Sequence, residues 1–167
     1  MLRRNLYLTW VTLFIATTLF AAPATAKSTK QTVKGPTGQT LTVSATEVRD
    51  GQILTVTGAK YNKKVGIYLA FCVVGAKGSV PGPCGGGVNT AGSATSSVWI
   101  SSNPPAYGKS LAVPFSKSGG FESKIKVSRY IGTVDCTVAK CAVVTRADHT
   151  QSANRKADVI IPMKFKK

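Results

Sequence analysis

The sequence is short of acid and nearly empty of histidine: six Asp and Glu and one His stand in 167 residues. The acids, Glu47, Asp50, Glu122, Asp135, Asp148 and Asp158, form no paired-carboxylate motif, which removes the usual signature of glycoside hydrolysis. His149 follows directly on Asp148. Adjacent side chains rarely act as orienting partner and base for one nucleophile, so the pair is a poor start for a Ser-His-Asp site. No Cys-x-x-Cys spacing occurs, and a single His gives a zinc site little to build on. Beyond residue 22 no second long apolar run appears, and no segment there has a helical hydrophobic period. These absences point away from an enzyme, a metal protein and a helical fold.

The amino terminus reads as a secretory signal over residues 1–26. Met1 to Arg4 supply positive charge, Leu6 to Ala22 are apolar and uncharged, and Ala24-Thr-Ala26 is a small-x-small cleavage site. An uncleaved anchor is the competing reading, and the run is short for a spanning helix. The expected mature chain, about 140 residues from Lys27, suits one domain with a real core, held in solution or peripherally, secreted or at the cell surface. Residues 27–38 are polar, basic and rich in breakers, and read as a flexible leader. The domain proper is expected over 39–167.

Charge is what the chain has in excess. Lys and Arg total 22, for a formal net charge of +16. Such a surface attracts anionic envelope polymers, nucleic acid or acidic lipid. The lysines are scattered, and no aromatic stacking motif for bases accompanies them, so the charge implies electrostatic association rather than sequence reading.

From Thr40 onward the pattern is β. Leu41, Val43 and Ala45 alternate with polar residues. Asp50-Gly-Gln52 marks a turn before Ile53 to Gly58. Val65 to Val74 is continuously apolar, as a central strand would be. A loop rich in Gly, Pro and Ser runs from Gly75 to Ser97, and Val98 to Ile100 is a short strand before the rigid Asn103-Pro-Pro-Ala-Tyr-Gly108 turn. Phe121 to Val127 is the cleanest amphipathic strand, with Glu122, Lys124 and Lys126 on its polar face. Strand residues flank the Cys136 to Cys141 loop, and Val159 to Met163 is the last strand, where Pro162 predicts an edge or bulge. Seven or so short strands imply an all-β antiparallel sandwich. The four cysteines, Cys72, Cys84, Cys136 and Cys141, are expected to be oxidised in an exported chain, and three pairings are open to them.

Several segments, in order, resemble one known family. Asp50-Gly-Gln52 leads into Leu54-Thr-Val-Thr-Gly58; the Tyr68 to Cys72 strand follows; then come Gly132-Thr-Val-Asp-Cys-Thr137 with Cys141 and Val143, and the Val159 to Phe165 strand. Together they make residues 39–165 similar to the neocarzinostatin-type apoproteins, secreted immunoglobulin-like sandwiches that hold a small aromatic chromophore in a cleft. The resemblance implies a seven-stranded immunoglobulin-like fold with local disulfides Cys72–Cys84 and Cys136–Cys141. It also implies a non-catalytic carrier, its cofactor a non-covalently held hydrophobic chromophore, linked through the family to antibiotic action and DNA. Cleft positions of that family fall on Val74, on the Arg129-Tyr-Ile131 segment, and on Ala142, Val144 and Arg146. Thr145 to Thr150 and Trp99 to Tyr107 are similar to a broader set of exported sandwich domains, some found beside haem-uptake proteins. That implies a second reading, an envelope interaction protein and possible haem accessory held by its positive charge.

The candidate ligand residues are therefore Val74, Trp99, Tyr107, Tyr130, Val144 and Arg146, with Trp99 and Tyr107 expected as an exposed pair flanking the Pro-Pro turn. Phe71 is read as core. Arg129, Arg146 and Arg155 could hold an anionic group or polymer, and for each one singly plain surface charge is the preferred reading. No metal ligand is expected, and His149, helped by Tyr107 or Tyr130, is the one weak candidate for haem iron.

Overall fold

The computed structural model describes residues 29–86 and 95–166. The signal segment, its cleavage site and the middle of the Gly75 to Ser97 loop lie outside them.

Among the described residues the strands are β1 (Gln31–Lys34), β2 (Thr40–Val43), β3 (Glu47–Val48), β4 (Ile53–Ala59), β5 (Ile67–Val73), β6 (Ser97–Ile100), β7 (Phe121–Lys126), β8 (Tyr130–Ile131), β9 (Val134–Asp135), β10 (Cys141–Ala147) and β11 (Val159–Phe165). One sheet has the order β1-β2-β4-β7, the other β3-β11-β10-β5-β6, and β8 and β9 form a separate hairpin. The seven strands legible in the sequence are β2, β4, β5, β6, β7, β10 and β11. Pairing is antiparallel except between β11 and β3, which run parallel through Lys164↔Glu47 and Phe165↔Val48.

The sheets close on each other because their strands carry apolar residues at every second position. Leu41, Val43, Leu54, Val56 and Ile125 from one face meet Ile67, Leu69, Phe71, Val143 and Ile161 from the other, all buried. In β7, Glu122, Lys124 and Lys126 face solvent as the alternation required. β5 and β10 are buried on both faces, which is why they lack alternation. Pro162 sits where the ladder has room for it. Lys164 N and Lys166 N donate to Thr46 O and Val48 O on the β3 side. By the two-residue period, the Pro162 nitrogen points to the same side, before β3 begins.

The expectation of a flexible leader over 27–38 is corrected. Gln31–Lys34 is an edge strand in register with Val43–Thr40, and Val33 packs against the core. A Thr-Val dipeptide beside an open sheet edge gains a ladder and a burial site, which outweighs the polar composition around it. Both disulfides form with the local pairing, Cys72–Cys84 and Cys136–Cys141, and point to an oxidising, extracytoplasmic setting. Among the described residues no helix is long and apolar enough to cross a membrane.

Candidate functional site

The outer face of the five-stranded sheet is laid out by register. On β10, β5 and β6, Arg146 stands opposite Tyr68 and Tyr68 opposite Trp99. One step along, Val144 stands opposite Ala70 and Ala70 opposite Ser97. A further step brings Ala142 to Cys72, which is bridged to Cys84. The face therefore grades from apolar at the disulfide to aromatic and cationic at the other end.

The apolar two-thirds are covered by the chain itself. Segment 80–85 continues the β6 edge: Val73 N donates to Pro83 O, Gly82 N to Val73 O and Gly85 N to Phe71 O. Pro81 is buried, and the Arg146 guanidinium donates to Pro81 O through Nη1 at 2.9 Å. Arg146 thus clamps the stapled loop to the sheet by one of its five donors.

The remaining third is an aromatic cluster in which Tyr68 and Trp99 are buried and Tyr107 and His149 are exposed. The 3-10 turn His149–Gln151 begins at Asp148, whose carboxylate accepts from Thr150 N and Thr150 Oγ1. Its other oxygen accepts from Trp99 Nε1 at 2.9 Å. Asp148 is 1 % exposed and fits because position 66 is glycine: a Cβ there would stand 1.9 Å from Asp148 Oδ2. His149 projects outward with both ring nitrogens engaged, Nδ1 with the Tyr68 hydroxyl and Nε2 with the Tyr107 hydroxyl. In neutral imidazole one nitrogen donates and the other accepts. Trp99 lies under this ring, centroids 5.1 Å apart and nearly edge-on, with Tyr68 and Tyr107 at 6.1 and 6.3 Å. Burial, and next the charge of Asp148, push the Tyr68 phenol above its ordinary pKa, so it stays neutral and able to donate. Beside the cluster a recess of about 300 Å³ opens between Tyr68, Val80, Arg146, His149 and Ser152.

Four of the residues singled out from sequence meet here: Trp99, Tyr107, Arg146 and His149. Tyr68 was missed as a site residue, since its continuous apolar strand gave no sign that this one side chain faces the loops. The exposed Trp99–Tyr107 pair is half corrected. Tyr107 is 62 % exposed, but Trp99 is 3 % exposed, because Asp148 takes its N–H and Gly108 lets the following turn lie on its ring. Val144 is fully buried beneath the stapled loop, and Val74 packs half-buried on the same apolar cluster. Tyr130 belongs to the far end of the sandwich, on β8, with the Arg129 guanidinium 5.1 Å from its ring centre. Arg129 grips Asp135 there, holding that carboxyl far below the usual range, and Arg155 pairs with Asp158. Iron ligation by His149 would cost a tyrosine hydrogen bond. Asp148 serves Trp99 rather than orienting His149 as a base.

No protein-family model matches the chain, and no curated protein does. Among solved structures it is similar to macromomycin, with a TM-score of 0.52 and 18 % identity over 77 % of this chain and 99 % of that one. At that identity the likeness speaks for architecture alone, and the expected neocarzinostatin-type sandwich is the fold of this chain.

Proposed function

We propose that the domain is a non-catalytic carrier of a small planar aromatic molecule bearing an acidic group. The observation that supports this reading most is the recess between Tyr68, Arg146 and His149. It is bordered by the exposed His149 ring over the buried Tyr68, by a guanidinium with donors to spare for a carboxylate, and by an apolar lip at Val80. Its volume lies at the lower end for ligand pockets, which limits the bound portion to one or two rings. The likeness in fold to macromomycin agrees with a binding domain of this build. The rest of the outer face belongs to the chain's own stapled loop, so a larger hydrophobic chromophore would need the Arg146–Pro81 clamp to open.

Trp99 is the one tryptophan after residue 26 and touches the cluster, so its emission reports occupancy. Titration of the oxidised domain with aromatic carboxylates is expected to quench it saturably, and the corresponding methyl esters to bind at least tenfold more weakly. Arg146→Gln is expected to remove the preference for acid over ester. Absence of saturable quenching, or an unchanged preference in Arg146→Gln, sinks the proposal.

A further inference from the structure

The opposite end of the sandwich is built for a different contact. β10 runs from Ala147, beside Asp148, to Cys141, so the Cys136–Cys141 loop lies about 20 Å from the aromatic cluster at the rise of a strand. Of the six exposed large apolar side chains among the described residues, Tyr130 stands on β8, Val138 in the disulfide loop that follows β9, and Ile53 at the start of β4. Val138 is 88 % exposed at the tip of the disulfide loop.

This exposure is held in place. Asp50 Oδ1 accepts from Arg129 N at 2.8 Å, and Arg129 Nη2 donates to Asp135 Oδ2 at 2.7 Å. Asp135 in turn accepts from Thr137 N and Thr137 Oγ1, and its carbonyl accepts from Val138 N. With the disulfide closing the loop, Val138 is fixed outward rather than left on a loose tip. Beside it runs a groove of about 600 Å³ with an apolar floor of Ala139, Met163 and Phe165 and a rim of Lys140, Lys164 and Lys166. The acids of this end have partners within the chain: Asp135 pairs with the Arg129 guanidinium, Asp50 accepts from Arg129 N and Ser128 Oγ, and Glu47 lies 3.8 Å from Lys166. What faces outward is cationic and apolar together.

We propose that this end docks on an anionic phospholipid bilayer, with Val138 and Tyr130 at the level of the interface and Lys140 and Lys164 among the acidic headgroups. A soluble polyanion would satisfy the lysines and leave Val138 and the groove floor in water. A bilayer surface accepts both, since apolar burial and attraction to acidic lipid act together there and tyrosine favours that depth. The surface shares no residue with the His149 recess, so the two proposals stand or fall separately.

The test is co-sedimentation of the oxidised domain from Lys27, which contains every strand described. Starting there leaves out the apolar run Leu6 to Ala22, so that it cannot insert on its own. Vesicles of phosphatidylcholine alone are compared with vesicles containing about one-third phosphatidylglycerol. Binding is expected only to the acidic vesicles. It should weaken at least fivefold in Val138→Ser and further in Lys140→Gln with Lys164→Gln. Affinity for soluble polyphosphate should be the same in the wild type and in Val138→Ser. Val138 is too exposed for the serine variant to unfold the loop, and an unchanged melting temperature verifies this. The proposal is overturned by no binding to acidic vesicles, by equal binding to neutral ones, or by Val138→Ser binding as the wild type does. That last outcome would leave a plain polyanion surface.

Discussion

At the residue scale the recess depends on one close approach. Gly66 leaves room for Asp148, and Asp148 holds the Trp99 N–H on which the aromatic cluster rests. Asp148→Ala is expected to cost about 1–3 kcal/mol, the penalty for leaving a buried donor unpaired. Gly66→Ala is expected to cost a similar amount, about 1–3 kcal/mol, through overpacking against the carboxylate. Because the collision needs both side chains, the double variant should lose clearly less than the two single losses combined. Denaturant unfolding of the three variants checks this, and simple additivity would show that Gly66 matters for another reason. None of this coupling was legible in sequence. Asp148-His149 reads there as an adjacent acid and base, and only the β5–β10 register reveals that each serves a different aromatic partner.

At the scale of elements, the legible parts are those with enough residues to show a period. β2, β4 and β7 alternate, β5 is apolar throughout and β10 is apolar from Cys141 to Val144, so each was readable. β3, β8 and β9 are two residues each and carry no pattern. β1 is hidden in a polar segment and exists because β2 offers an edge. The candidate site was legible residue by residue but not as a group, since Tyr68, Trp99, Arg146 and His149 come together only through pairing between distant strands. The stapled loop is the element with the clearest test. Replacing Cys72 and Cys84 by alanine is expected to remove about 3 kcal/mol in the chain-entropy model, and the Cys136–Cys141 pair, closing a shorter loop, about 2 kcal/mol. Only the first replacement should free segment 80–85 and expose the apolar face beneath it. Thermal unfolding with an apolar dye reporting on the folded state separates the two, and equal dye binding by both variants would contradict the covering role of the loop.

At the scale of the molecule, charge and packing oppose each other. The formal net charge is +16, and only Arg129, Arg155 and Lys166 are in ion pairs among the described residues. Self-repulsion of this kind disfavours the compact state and is screened by salt. Raising sodium chloride from about 10 mM to about 0.3 M is expected to raise the melting temperature by a few degrees, the shift that about 1 kcal/mol gives a domain of this size. A flat or falling curve would mean that the lysines are spaced widely enough not to repel. The excess charge was plain in the sequence. Its distribution was not, because Asp135 and Glu47 are paired with Arg129 and Lys166 only through the fold.

The place of β11 has a consequence for how the domain comes into being. This strand supplies Val159, Ile161, Met163 and Phe165 to the core, and it is paired on one side with β10 and on the other with β3. A ribosome or a secretion channel delivers the chain from its amino end, so β1 to β10 emerge while the slot for β11 is still empty. Until residue 165 arrives, β3 has no partner and the core stays open along one side. Closure is thus timed by the last strand, and the core cannot be completed before residue 165 has emerged.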